Sequence, residues 1–130
     1  MKIFYIAPHY FDSEFDSKFQ SIEKTAEEFG FEISKGIKNS ENEFNRLETM
    51  KLYDSADYFI ADLSFERPSC YYEVGFVQGL QKKVFLIALK NTIIHQVEGE
   101  VIFYSNINEY EETINHIFRE IEEDSSQQRL

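Results

Sequence analysis

The sequence predicts a single α/β domain: a flavodoxin-like, Rossmann-like parallel sheet of about five strands flanked by helices. Three observations predict it. Short apolar runs alternate with amphipathic helical stretches along 130 residues, a length near the commonest domain size. The run Val84-Phe85-Leu86-Ile87-Ala88-Leu89 is apolar throughout, as expected of a strand covered on both faces. Strands separated by helices pair in parallel through right-handed crossovers, and about five of them give the order 2-1-3-4-5.

Taken in order, Lys2 to Ala7 is a strand-length apolar run and Pro8-His9-Tyr10-Phe11 a loop. Asp12 or Ser13 can cap the first helix, whose inward stripe is Phe15, Phe19, Ile22, Ala26 and Phe29, and Gly30 ends it. Phe31 to Ser34 is a short second strand. Ser40 is the cap expected for a second helix carrying Phe44, Leu47 and Met50 inward and ending near Ser55. Tyr58-Phe59-Ile60-Ala61 is a buried strand closing on Asp62, followed by a loop from Leu63 to Ser69 and a third helix from about Cys70 to Leu80. After the strand Val84–Leu89, a further strand is expected around Val101 to Tyr104. Asn108 is then the cap of a last helix with Tyr110, Ile114, Ile117, Phe118 and Ile121 on one face. Residues 1–122 make the domain, and 123–130 a polar tail expected to be loose.

Hydrophobic residues make up 42% of the chain and aromatics 16%, so the chain can fold despite a net charge of −11. That charge argues against binding a nucleic-acid polymer or an anionic membrane, while a small ligand remains open because net charge does not describe one pocket. No apolar run reaches the roughly 18 residues that cross a bilayer. The opening MKIFYIAPHY does not read as a signal peptide, which makes a cytoplasmic location the expectation. The single cysteine, Cys70, cannot make an internal disulfide or a cysteine-cluster metal site, and no metal or organic cofactor is implied.

In open parallel sheets ligands bind beyond the carboxyl ends of the strands, near the switch in strand order. That edge gathers the loop Pro8 to Phe11, the segment Asp62 to Ser69 and the start of the third helix, where Glu73 falls on the first turn. The segment Ala61-Asp62-Leu63-Ser64-Phe65-Glu66-Arg67-Pro68-Ser69-Cys70-Tyr71-Tyr72-Glu73-Val74-Gly75-Phe76 carries the chemistry. It has an Ala-Asp-aliphatic strand end, a polar loop with Arg-Pro, and Tyr-Tyr-Glu-Val-Gly opening a helix. A Lys-Lys-Val-Phe-Leu-Ile strand follows, and Lys-Ile-Phe-Tyr-Ile-Ala-Pro opens the chain. On these residues the chain resembles the nucleoside 2-deoxyribosyltransferase superfamily, with its nucleotide N-glycosidases and TIR-like bacterial relatives.

The resemblance implies that Glu73 is the nucleophile of N-glycosidic bond cleavage. Breaking a base–sugar bond builds positive charge on the anomeric carbon, which a carboxylate can stabilise and then trap as an ester. Attack by water then gives hydrolysis, and attack by a second base gives transfer. The bland reading of Glu73 is an acid favouring the positive end of its helix. Asp62 has two readings, a sugar-hydroxyl acceptor in catalysis or a carboxylate tied to loop N–H groups. Tyr5, Pro8, His9, Tyr10, Ser64, Arg67 and Tyr72 make up the candidate substrate-binding set. The tyrosines are stacking partners for a base and Arg67 a bidentate partner for a phosphate. Against them stand a surface arginine, an incidental loop histidine and a core tyrosine.

One departure from the resembled pattern stands out. Where the deoxyribosyltransferases carry an acid for the leaving base, this chain has Thr49, with Glu48 one residue away and about 100° around the helix. Three functions follow: a nucleoside or nucleotide N-glycosidase or transferase, a TIR-like NAD hydrolase, or a non-catalytic nucleotide-binding module. Members of the resembled family complete their pockets from a neighbouring subunit. With 13 Phe and 8 Tyr to cover, a homodimer or higher even oligomer is expected.

Overall fold

A computed structural model describes residues 1–36 and 46–128, with the backbone alone at Arg46. The elements are β1 (Lys2–Ile6), α1 (Phe15–Phe29), β2 (Glu32–Lys35), α2 (Arg46–Ser55), β3 (Tyr58–Asp62), α3 (Pro68–Gly79), β4 (Val84–Leu89), β5 (Val101–Tyr104) and α4 (Ile107–Gln128). The strands form one parallel sheet in the order β2-β1-β3-β4-β5, as the alternation of elements implied. Among the described residues no helix is long and apolar enough to cross a membrane.

Alternate side chains of each strand serve opposite faces, so the sheet divides two cores. Ile3, Tyr5, Ile60 and Ile87 meet Phe15, Ile22 and Ala26 of α1 and Tyr110, Ile114, Ile117, Phe118 and Ile121 of α4. Phe4, Ile6, Phe59, Ala61, Leu86 and Ala88 meet Tyr53 of α2 and Cys70, Val74 and Val77 of α3. This two-sided covering is what makes β1, β3 and β4 read as continuous apolar runs.

The helix ends agree with expectation at Gly30 and differ from it elsewhere. Gly30 ends α1 in the left-handed conformation, at φ 75°. At its start Asp12 Oδ1 accepts the Glu14 N–H at 2.9 Å, so the turn is held one residue outside the helix. The cap of α4 is Asn106 rather than Asn108: its Oδ1 accepts the Glu109 N–H at 2.9 Å. That helix also continues past Glu122 to Gln128, where a loose tail was expected. Asp124 holds it by accepting the Tyr58 hydroxyl at 2.5 Å and meeting Lys83 Nζ at 3.6 Å.

In α2, Ser40 and Phe44 lie outside the described residues. Leu47, expected inward, is 78% exposed, and the buried positions are Thr49 and Tyr53. One turn separates these two, so they share the face turned to the sheet. Helix α3 begins at Pro68, two residues before the expected start. A proline at the first helical position costs nothing, because its missing N–H would have no partner in the helix. The shift moves Glu73 from the first turn to the second.

Candidate active site

The carboxyl edge is organised by a buried polar knot at the end of β3. Asp62 has no exposed surface. Its Oδ1 accepts the Ser64 N–H at 3.0 Å and the Ser64 hydroxyl at 2.6 Å, and its Oδ2 accepts the Tyr104 hydroxyl at 2.6 Å. Lys18 Nζ stands 3.9 Å from Asp62 and 2.6 Å from Asp12, an ion pair that is itself buried. Ser64 Oγ also accepts the Leu89 N–H at 2.8 Å, fastening the loop to the end of β4. Burial raises the Asp62 carboxyl above the ordinary aspartate range, opposed by Lys18 and by the bonds from Ser64 and Tyr104. Of its two readings, the geometry is that of the tied carboxylate. Asp62 and Ser64 hold the loop and present no surface to a ligand.

From this anchor the chain turns sharply. Phe65 and Glu66 take left-handed conformations at φ 67° and 53°, unfavourable for a bulky side chain and affordable because Ser64 and Pro68 fix both ends. The turn leaves Phe65 45% exposed. Glu66 Oε1 meets His95 Nε2 at 2.8 Å, and the Tyr71 hydroxyl accepts the His95 N–H at 3.0 Å. The guanidinium of Arg67 stacks on the Phe11 ring at 3.4 Å, strapping the β1–α1 loop to the β3–α3 loop. Tyr10 and Tyr72 are exposed along the same edge, and His9 is half-buried against Phe15 at 4.2 Å between ring centres. Pro8 is buried, and its carbonyl accepts the Phe11 and Asp12 N–H groups. Tyr5 departs furthest from its expected place. The odd positions of β1 face α1 and α4, so it is fully buried there, and its hydroxyl accepts that of Tyr110 at 2.9 Å.

Glu73 is half-buried on the second turn of α3, on the other side of the sheet from Tyr5. The Tyr53 hydroxyl donates to Glu73 Oε1 at 2.5 Å. Tyr53 is 2% exposed and is caged by Phe4, Phe59 and Phe76, with ring centres 5.1, 5.9 and 5.7 Å away. Burial first, and then the charge of Glu73, push the Tyr53 hydroxyl far above the ordinary tyrosine range, so it keeps its proton. The end of β2 passes close by: a methyl group on Gly36 would lie 4.0 Å from Glu73 Oε1 and from the tip of Phe4.

Tyr53, Lys18 and Tyr104 were not singled out from the sequence, and Asp12 only as a helix cap. Lys18 had a visible signal, since it shares the apolar stripe of α1 with Phe15 and Ile22, where a lysine must find a buried partner. Tyr53 lies four residues after Thr49, but the stripe assigned through Leu47 turned that face away. Among the described residues no group of three or more His, Cys, Asp or Glu could hold a metal. A groove of about 740 Å³ lined by Met1, Phe29, Phe31 and Glu122 opens at the opposite edge, away from the strand carboxyl ends.

These features define a class: a flavodoxin-like α/β domain with a tyrosine-bound glutamate at the carboxyl edge of its sheet. Its fold is that of the nucleoside 2-deoxyribosyltransferase-like proteins. It matches the 2-deoxyribosyltransferase of the psychrotolerant bacterium Bacillus psychrosaccharolyticus with a TM-score of 0.61 at 15% identity, over 88% of this chain and 96% of that one. It matches the CMP N-glycosidase BcmB of Clostridium botulinum with a TM-score of 0.65 at 20% identity, over 88% of this chain and 98% of that one. No family model and no curated protein matches the chain.

Proposed function

We propose that this chain is an enzyme that cleaves or transfers the N-glycosidic bond of a nucleoside or nucleotide, with Glu73 as its nucleophile. One observation carries the reading: a half-buried carboxylate at the ligand-binding edge, one oxygen of which is held by a caged tyrosine. The Tyr-Tyr-Glu-Val-Gly motif and the two enzymes that share the fold support it. In the first step a Glu73 oxygen attacks the anomeric carbon, and the carbon–nitrogen bond breaks with its electron pair leaving on the base. Water then attacks the same carbon, releasing the sugar and restoring the carboxylate, and the proton that water gives up neutralises the departed base; a second base in place of water gives transfer. Arg67, held flat on Phe11, meets a phosphate of a nucleotide substrate with the N–H groups in its plane. The reaction needs no metal, because the carboxylate itself supplies the nucleophile.

Thr49 favours a second reading. It is fully buried at the place of the acid that serves the leaving base in the resembled family, and a hydroxyl is too weak an acid for that task. A pyridinium base, as in NAD, departs neutral and requires no proton. Incubation with nucleosides, nucleoside monophosphates and NAD, followed by chromatography for free base, separates the readings. Free base from a nucleoside or its phosphate supports the first, and nicotinamide alone supports the second. Binding without any free base leaves a nucleotide-binding module.

A further inference from the structure

We infer that Tyr53 positions Glu73, holding Oε1 by a hydrogen bond and favouring the ionised carboxylate. The inference rests on the reading of Glu73 as nucleophile. The positive end of α3 cannot do this work. Its influence fades within the first turn, and Glu73 stands in the second. The Tyr53 hydroxyl can. It donates at 2.5 Å, and a donor to the charged form of a carboxyl favours that form.

The tyrosine is built to hold this place. Its ring is locked by Phe4 of β1, Phe59 of β3 and Phe76 of α3, so the hydroxyl is fixed relative to the sheet and to the helix that carries Glu73. It also remains a donor rather than an acid, because burial and the adjacent carboxylate hold its proton on. When Oε2 forms the glycosyl ester, Oε1 becomes the ester carbonyl, a weaker acceptor than a carboxylate oxygen. The bond from Tyr53 therefore strengthens again as the ester breaks, which favours release of the sugar. No proton leaves the tyrosine at either step.

The test is Tyr53→Phe, which keeps the ring and removes the hydroxyl. Titration of the Glu73 side-chain carboxyl by carbon-13 NMR, assigned with Glu73→Gln, requires no substrate. We expect the midpoint to rise by about one pH unit in Tyr53→Phe. On a substrate found by the panel above, the acid limb of kcat/KM should move up with it. The value of kcat should fall about tenfold or more, with KM little changed. Glycosyl-enzyme should accumulate and be visible by mass spectrometry of the quenched reaction. An unchanged Glu73 midpoint overturns the inference, as does a Tyr53→Phe chain that no longer folds, because the hydroxyl would then be a structural group. Full activity of Glu73→Gln alongside a shifted midpoint would instead defeat the nucleophile reading and leave the positioning contact standing.

Discussion

Glu73 and Asp62 show how environment separates two carboxylates of one segment. Glu73 is half-exposed and accepts the neutral hydroxyl of Tyr53, whereas Asp62 is sealed among Ser64, Tyr104 and Lys18. Glu73→Gln should abolish turnover while leaving the melting temperature within a few degrees, since the amide is nearly isosteric but forms no stable ester. Full turnover in that variant, measured as release of base, would remove Glu73 from the mechanism. For Asp62 the expected signal is in stability. Its folded carboxyl titrates above the unfolded one, so the folded state binds the extra proton. Its contribution is fully present below the unfolded value and is lost as pH rises through the folded one. Melting curves of the wild type and Asp62→Asn between about pH 4 and pH 8 check this. The difference should move in favour of the variant as pH rises, and the opposite slope would contradict the direction of the shift.

At the scale of elements, the displaced ends of α3 and α4 have different consequences. The start of α3 at Pro68 removes Glu73 from the helix terminus, and a side chain on α2, Tyr53, donates to it there. The extension of α4 brings Asp124 to Tyr58 and Lys83, at the far end of the sheet from the site. Burial and the bond to Asp124 push the Tyr58 hydroxyl up to about 12. Deleting the chain after Glu123 should therefore cost about 1.5–3 kcal/mol in urea denaturation, the worth of a hydrogen bond to a charged acceptor. Tyr58→Phe should reproduce much of that loss. No change on truncation would return these residues to the loose tail their polarity implied. The polar composition concealed the contact because a helix end can be anchored by one carboxylate and needs no apolar face.

The whole molecule places exposed aromatic rings along the carboxyl edge of its sheet: Tyr10 is 69% exposed, Phe11 57%, Phe65 45% and Tyr72 69%. Light scattering at micromolar concentration and moderate salt should return a homodimer or higher even oligomer, in which a second copy covers such rings. Self-repulsion from a net charge of −11 is largely screened beyond about 8 Å at physiological salt. A mass of 15.4 kDa in solution would defeat this expectation and favour a pocket open to water. What the sequence determined by itself was the architecture and the motif. Runs such as Val84–Leu89 and the stripe of α1 report local burial, and local burial sets the element order and the order of the sheet. Glu73 was singled out in the same way, through contiguous residues at one strand-to-helix junction, and its role is the one proposed above. The partners of that residue were decided only by the tertiary structure. Tyr53 and Glu73 are 20 residues apart and Asp62 and Tyr104 are 42 apart, meeting only because parallel crossovers bring separate strand and helix ends to one edge. Tyr5 and Phe4 are neighbours in sequence, yet the pleat sends one to the α1–α4 core and the other to the cage around Tyr53. Apolar runs say that both are buried. Which of the two serves the site depends on which helices cover each face, and that is settled by packing across the whole domain.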